Sequence, residues 1–122
     1  RVLFRSRSAW QTVRPVLERD RHEAAARFAE LSGTEQTLGE IGPVIDAARI
    51  GRVDTLFVSR DDHIWGRLPE DADPEVHADR QPGDVELLDR AAMLTLQQSA
   101  PVFACPREEM PGDSPVAAIL RY

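Results

Sequence analysis

The C-terminal end of the chain carries the feature that most constrains its fold. A purely apolar run, Val116–Leu120, precedes the final Arg121 and Tyr122 and follows a turn rich in glycine and proline, residues 111–115. Five consecutive apolar residues beside a turn are typical of a strand that is buried on both faces. The sequence therefore predicts that this segment closes a sheet that helices cover.

Length and composition indicate one globular domain. The chain has 122 residues, 42% of them hydrophobic and 30% charged, which is the balance of a folded protein. No segment approaches the roughly 20 apolar residues of a membrane span, and no signal segment opens the chain. We expect a cytoplasmic protein without a membrane partner. Because the first residue is Arg1, we also expect a fragment of a longer protein.

The charge and the cysteine content exclude several kinds of function. The net charge is −6, and all 15 basic residues are arginines. An acidic domain repels a phosphate backbone unless its cations are clustered, which argues against a dedicated nucleic-acid binder. The single cysteine, Cys105, excludes an internal disulfide and a multi-cysteine zinc site. It lies in the apolar run Pro101–Cys105, so we predict a buried side chain.

Apolar spacing predicts three helices. The first covers Ser8–Leu31, where apolar residues recur at intervals of three, four and seven. Because Pro15 lies inside this pattern, the helix either kinks at Pro15 or begins there. The second covers Leu38–Ile50, with Gly51 as its C-terminal cap. The third begins after Asp84, which we predict to be its N-cap, and continues to Gln98.

The helical spacing of apolar residues ends after the second helix, and a pattern typical of strands begins. Residues Val53–Ser59 are rich in β-branched and aromatic side chains, and Arg60–Asp62 is a turn sequence before a return strand at His63–Arg67. We predict a β-hairpin, on which Trp65 either packs against a helix or marks a partner surface.

The remaining segments complete a predicted α/β fold. We expect a polar loop over Leu68–Pro82 with a strand fragment near Val76, a strand at Val102–Cys105, and a helical turn at Arg107–Met110 before the final strand. Strands mixed with helices favour a three-layer α/β/α sandwich with a mixed sheet of about four strands.

The densest polar cluster of the sequence could bind a divalent metal and activate water. It comprises Asp61, Asp62 and His63, and the acidic loop after them adds Glu70, Asp71, Asp73, Glu75, His77 and Asp79. A solvated acidic loop is the favoured interpretation, and a metal-dependent hydrolase is the third alternative. Ser59 lacks a nucleophile-elbow motif, His22 lies on a charged helix face, and no phosphate-binding glycine motif occurs. We predict no catalytic residue, cofactor or metal.

Arginines beside aromatic residues at the N-terminus leave an RNA-binding alternative open, because bases can stack on aromatic rings. These residues are Arg1, Phe4, Arg5, Arg7, Trp10 and Arg14. Trp10 also belongs to the apolar stripe of the first helix, so a core position is the favoured interpretation.

Three segments in this order resemble a known family: Ala47–Ser59, Gly83–Ala92 and Val116–Tyr122. They are similar to the C-terminal (third) domain of archaeo-eukaryotic class I peptide-chain release factors and Pelota, and most of all to their bacterial, Balon-like relatives. The resemblance covers roughly residues 38–122. It implies a linker helix over residues 1–36 that enters a release-factor-like domain over residues 37–122.

The resemblance implies a docking domain rather than a catalyst. It implies contact with a translational GTPase such as elongation factor Tu, or with the ribosome, in a factor for release, rescue or hibernation. Archaeal members often have zinc-binding cysteines after the first hairpin strand, but residues 61–81 contain none. The family's Gly-Gly-Gln motif is absent as well. Because the same fold resembles kink-turn-binding ribosomal proteins, structured RNA is the alternative partner. Neither the binding surface nor the oligomeric state follows from the sequence.

Overall fold

The computed structural model describes residues 20–70 and 72–122, which form two sheets, three helices and one 3-10 turn at Arg107–Glu109. The helices are α1, helical over residues 20–31, α2 (Ile41–Arg49) and α3 (Leu87–Gln97). The strands are β1 (Thr37–Leu38), β2 (Val53–Ser59), β3 (Trp65–Arg67), β4 (Glu75–His77), β5 (Val85–Glu86), β6 (Val102–Cys105) and β7 (Val116–Leu120).

The C-terminal strand β7 lies inside the larger sheet, whose strand order is β1-β7-β2-β6. It pairs antiparallel with β1 and β2, and β2 pairs parallel with β6. All five residues of β7 are buried, as its unbroken apolar run predicts. The predicted buried strand and the mixed sheet of four strands are confirmed. The strand is not the last one of the sheet, however, because β1 covers its outer edge.

Helices cover both faces of this sheet. On one face α2 and α3 belong to the same buried cluster as Leu56 of β2 and Ala118 of β7. On the other face Phe28 of α1 packs on Phe57, with ring centroids 6.2 Å apart and an edge-on angle of 78°. Successive side chains of a strand point to opposite faces, so one apolar run supplies both cores. The predicted α/β/α sandwich is confirmed.

The predicted β-hairpin between residues 53–59 and 63–67 is wrong. Strand β2 has β6 on one edge and β7 on the other, so neither edge is free for the segment that follows it. Strand β3 instead becomes the centre of a separate antiparallel sheet, the small sheet, in the order β4-β3-β5. The strand fragment expected near Val76 exists there as β4.

The centre of the small sheet requires glycine at position 66. A Cβ atom there would lie 1.8 Å from the carbonyl oxygen of Glu75 and 2.9 Å from Cδ1 of Leu87. The Gly66 side of β3 therefore faces α3 at close range. Because side chains alternate along a strand, Trp65 and Arg67 lie together on the opposite, outer face of the small sheet.

Helix α2 begins later than the sequence predicts. Leu38, expected in the helix, pairs with Ala118 as part of β1, and the helix starts at Ile41. Pro43 fits into the first turn because the N–H that it lacks would have no helical partner there. The predicted cap at Gly51 is confirmed, since its φ of +71° lies in the left-handed region.

Helix α3 also begins later, and its N-cap is not Asp84. The cap is Glu86, whose carboxylate accepts a hydrogen bond from the N–H of Leu88. Residues Val85–Glu86 form β5 before the helix starts at Leu87, because β3 takes them as its second partner. The Asp84 side chain turns toward β4 instead.

The first helix is described only in its second part, residues 20–31. The earlier part of that prediction, with Trp10, lies outside the described residues. The division into a linker helix over residues 1–36 and a domain over residues 37–122 stays a prediction. None of the helices in the described part of the chain is long and apolar enough to cross a membrane.

Substitution of Gly66 tests the close approach of β3 and β4. We expect Gly66→Ala to lower the free energy of unfolding by about 1–3 kcal/mol or more, because the new methyl group overlaps the backbone of Glu75. The matched control is Gly39→Ala, where a Cβ meets nothing within 4 Å. That control is expected to change the free energy of unfolding by less than about 0.5 kcal/mol, as is usual for exposed positions. Urea unfolding measures both, and equal stability of Gly66→Ala and the wild type would contradict the packing described.

Candidate functional site

The outer face of the small sheet gathers an aromatic, a histidine and an arginine side chain. The rings of His63 and Trp65 are stacked, with centroids 5.6 Å apart and an interplanar angle of 27°. The guanidinium carbon of Arg80 lies 4.4 Å from the centroid of the Trp65 ring. Such a cation–π contact contributes about 0.5–1 kcal/mol at an exposed site. Trp65 is therefore partly covered by side chains of its own neighbourhood.

A buried carboxylate joins β4 to the loop before β5. The side chain of Asp84 has no exposed area, and its two oxygens lie 3.0 and 2.8 Å from Nδ1 of His77. It also accepts a hydrogen bond of 2.9 Å from the N–H of Gln81. Burial alone would raise the pKa of Asp84, but the hydrogen bonds from His77 and Gln81 and the nearby charge of Arg67 lower this pKa overall.

The carboxylate of Glu86 connects the small sheet to α3. Its Oε2 accepts hydrogen bonds from the N–H of Ile64 at 2.8 Å and from the N–H of Leu88 at 3.1 Å. The N–H of Leu87 donates to the carbonyl of Ile64 at 2.7 Å. The segment that enters β3 and the first turn of α3 are thereby held together, which fixes the small sheet on the helix.

A second polar cluster lies where β2 and β6 end. The hydroxyl of Ser59 donates a hydrogen bond of 2.5 Å to Asp62, and the Arg107 guanidinium lies 3.4 Å from the same carboxylate. The N–H of Arg107 donates to Asp61 at 2.9 Å. These contacts hold the turn after β2 against the turn after β6.

The residues considered for a hydrolytic metal site do not converge. Asp61 and Asp62 contact Arg107, whereas His63 stacks on Trp65 at the small sheet. Over residues 20–70 and 72–122, no group of three or more His, Cys, Asp or Glu side chains is placed to hold a metal ion. His77 contacts Asp84. The exposed carboxylates of the loop are Glu70, Asp73, Glu75 and Asp79, and Asp71 lies outside the described residues.

A groove of about 520 Å³ opens between α1 and the 3-10 turn, lined by Arg21, His22, Ala25, Phe57, Glu109 and Pro111. Arg21 crosses it to bind the carboxylate of Glu109 at 2.7 Å.

Cys105, in the buried cluster that includes Phe57, has no exposed area, as predicted. Burial raises the pKa of its thiol, although Arg21 opposes the shift. A buried thiol with a raised pKa is a poor nucleophile.

A smaller groove of about 390 Å³ lies beside the small sheet. We call it the arginine groove, and its lining residues are Arg67, Leu68, Pro69, Gly83, Val85 and Arg90. Arg67 comes from β3 and Arg90 from the beginning of α3. They line one groove because β3 pairs with β5, and β5 leads directly into α3. The sequence did not predict this site, because the pairing of β3 with β5 does not follow from local pattern. The one sequence signal was Gly66, since glycine within a strand often marks the close approach of another backbone.

The N-terminal residues considered for RNA binding lie outside the described residues. They are Arg1, Phe4, Arg5, Arg7, Trp10 and Arg14. The RNA-binding alternative therefore has no structural test at this end of the chain. His22, expected on the surface, is exposed on α1.

The described architecture is that of release-factor C-terminal domains. The structure matches the C-terminal domain of a peptide chain release factor from Methanosarcina mazei with a TM-score of 0.62 at 17% sequence identity, over 94% of this chain and 90% of that chain. It matches an archaeal translation termination factor, aRF1, with a TM-score of 0.59 at 20% identity, over 93% of this chain and 29% of that chain. No protein family model matches the amino-acid sequence, and no curated protein matches it.

At these identities the likeness establishes the fold. The fold expected from the resemblance in the sequence, that of a release-factor third domain, is confirmed. The chain spans less than a third of the length of aRF1, so the activity of a whole termination factor does not transfer with the fold.

The buried Asp84 makes the stability of the small sheet depend on pH. Its pKa in the folded chain is below the ordinary 3.8. The ionised form therefore stabilises the fold above that value, and this contribution is lost as the pH falls through the lowered pKa. We expect Asp84→Asn to be less stable than the wild type at neutral pH and to lose less stability on acidification. Urea midpoints from neutral pH to about pH 3 measure this.

The matched control for this prediction is Asp79→Asn, which removes an exposed carboxylate of the same loop. We expect it to follow the wild-type dependence of stability on pH. If Asp84→Asn follows that dependence as well, the contacts of Asp84 with His77 and Gln81 do not stabilise the folded chain.

Proposed function

We propose that this chain is a non-catalytic protein-interaction domain of a translation-associated factor, and that it docks a translational GTPase or a ribosomal protein. The observation that carries the proposal is the match to a release-factor C-terminal domain, which extends over 94% of this chain and 90% of that domain. A match of this extent includes the small sheet as well as the larger one. The domain would therefore be the part of the factor that binds this partner protein.

The side chains that could perform chemistry support a non-catalytic role. At the end of β2, Asp62 is paired with the Arg107 guanidinium and Asp61 accepts a hydrogen bond from the N–H of Arg107, while burial raises the pKa of the single thiol. Catalysis by carboxylates or a thiolate needs such groups to converge on a site that substrate can reach. The described residues place them apart, at the end of β2, at the small sheet and in the core below α1.

The finer assignment rests on the resemblance within the sequence. We propose that the factor is a cytoplasmic, ribosome-associated protein of the bacterial, Balon-like group that acts in rescue or hibernation. Elongation factor Tu is the GTPase that this grouping favours. The proposed organisation is a linker helix over residues 1–36 followed by the docking domain over residues 37–122.

Capture of purified partners tests the proposed function. The 122-residue chain is immobilised and exposed in turn to elongation factor Tu, to ribosomes and to a structured kink-turn RNA. We expect retention of elongation factor Tu, or of ribosomes through a ribosomal protein, because a domain with net charge −6 favours protein surfaces over a polyanion. Quantitative immunoblotting and absorbance measure the retained material.

Resin that carries no protein, and resin that carries an unrelated acidic protein of similar size, serve as controls. Binding that is specific to this domain should be absent from both. If neither elongation factor Tu nor ribosomes are retained, and the RNA binds in a manner that weakens steeply with salt, the domain is an RNA-binding module and the proposal is wrong.

A further inference from the structure

We propose that the arginine groove binds an acidic peptide segment of the partner protein. This inference rests on the proposed docking function and names the surface that performs it. The groove combines two guanidinium groups, from Arg67 and Arg90, with the apolar side chains of Leu68, Pro69 and Val85. That combination fits a short segment in which carboxylates flank an apolar side chain.

The two arginines have guanidinium groups available for a ligand. Arg90 is exposed and makes no ion pair with any residue that the structure describes. The side chain of Arg67 is 56% exposed. Its Nη2 donates a hydrogen bond of 3.3 Å to the carbonyl of Pro82, and its Nε lies 3.9 Å from the Asp84 carboxylate, which is beyond a hydrogen bond. A guanidinium offers parallel N–H donors that match the two oxygens of a carboxylate. Arg90 can therefore take one acidic side chain in this way, and Arg67 can donate its remaining N–H groups to a second.

The apolar part of the groove is held in place by the core and by a third arginine. Leu68 and Val85 pack against the buried cluster of α2 and α3. The Arg49 guanidinium donates hydrogen bonds to the carbonyls of Pro69 and Ala72. The groove wall is thereby fixed before any ligand binds, which lowers the entropy cost of binding. Its volume of about 390 Å³ is sufficient for a few side chains.

Charge and ring geometry favour a protein segment over a nucleic acid. The chain has a net charge of −6, so a long polyanion is repelled along its whole length, whereas a short acidic segment in the groove lies closest to the two arginines that line it. Trp65 lies on the same face of β3 as Arg67, but its ring is already stacked with His63 and contacted by Arg80. A base that stacks on this ring would compete with these side chains for it.

Titration of the isotope-labelled 122-residue chain, followed by NMR, tests the inference. The probe is a peptide of about ten residues in which Glu and Leu alternate, long enough to span the groove. Its comparison peptide has Gln in place of every Glu, and a uridine oligonucleotide of similar length supplies phosphate charge. We expect saturable binding of the Glu-containing peptide, with the largest shifts at the amides of Arg67, Gly83 and Arg90.

Charge-reversal variants locate the binding site. We expect Arg90→Glu to weaken binding of the Glu-containing peptide by about tenfold or more, because a cation at the groove becomes a repelling anion. The matched control is Arg60→Glu, the same change at an exposed arginine that does not line the groove. It should change the dissociation constant by less than about twofold, as long-range charge effects are screened.

Three results would overturn the inference: no saturable binding of the Glu-containing peptide, equal weakening by Arg90→Glu and Arg60→Glu, or tighter binding of the uridine oligonucleotide in the groove. Arg90 is an exposed helix residue, so its variant is expected to fold.

Capture of the partner protein by the wild type and by Arg90→Glu distinguishes the groove proposal from the docking proposal. If the wild type and Arg90→Glu retain the partner equally, the groove is wrong and the docking function stands; if the wild type retains none, the docking function fails.

Discussion

Strand β2 is buried on both faces and paired on both edges, and the rest of the molecule depends on this constraint. With β6 and β7 beside it, the chain that leaves β2 has no free edge to return along. It turns at the cluster of Ser59, Asp62 and Arg107 and builds the small sheet. The small sheet then supplies part of the lining of the arginine groove, through Arg67 of β3 and Val85 of β5.

The attachment of the small sheet relies on a few strong contacts instead of a large core of its own. Gly66 permits the backbone of β3 to approach β4, Glu86 joins Ile64 to the start of α3, and Asp84 holds β4 through His77. These contacts occupy the carboxylates of Asp84 and Glu86 in structural roles. Arg67 and Arg90 are exposed and line the arginine groove, which places two cations side by side on an acidic domain.

The spacing of apolar residues along the sequence predicted most of the helices and strands, because this spacing is a property of short segments. The apolar run at residues 116–120, the Gly51 cap and the burial of Cys105 all follow from such patterns. Pairing could not be predicted in the same way. The false hairpin and the displaced N-cap at Asp84 share one cause, which is that β3 takes β4 and β5 as partners instead of β2. The groove between Arg67 and Arg90 was missed for the same reason.

Hydrogen–deuterium exchange of the 122-residue chain, alone and with saturating elongation factor Tu or ribosomes, tests most directly whether this fold acts as a docking domain through the small sheet. We expect slower exchange on binding at residues 64–69 and 83–90, while the buried strand β7 changes little because it is already protected. Unchanged exchange at both segments, with protection confined to α1 or to the C-terminal part of α3, would show that the domain does not dock through the small sheet.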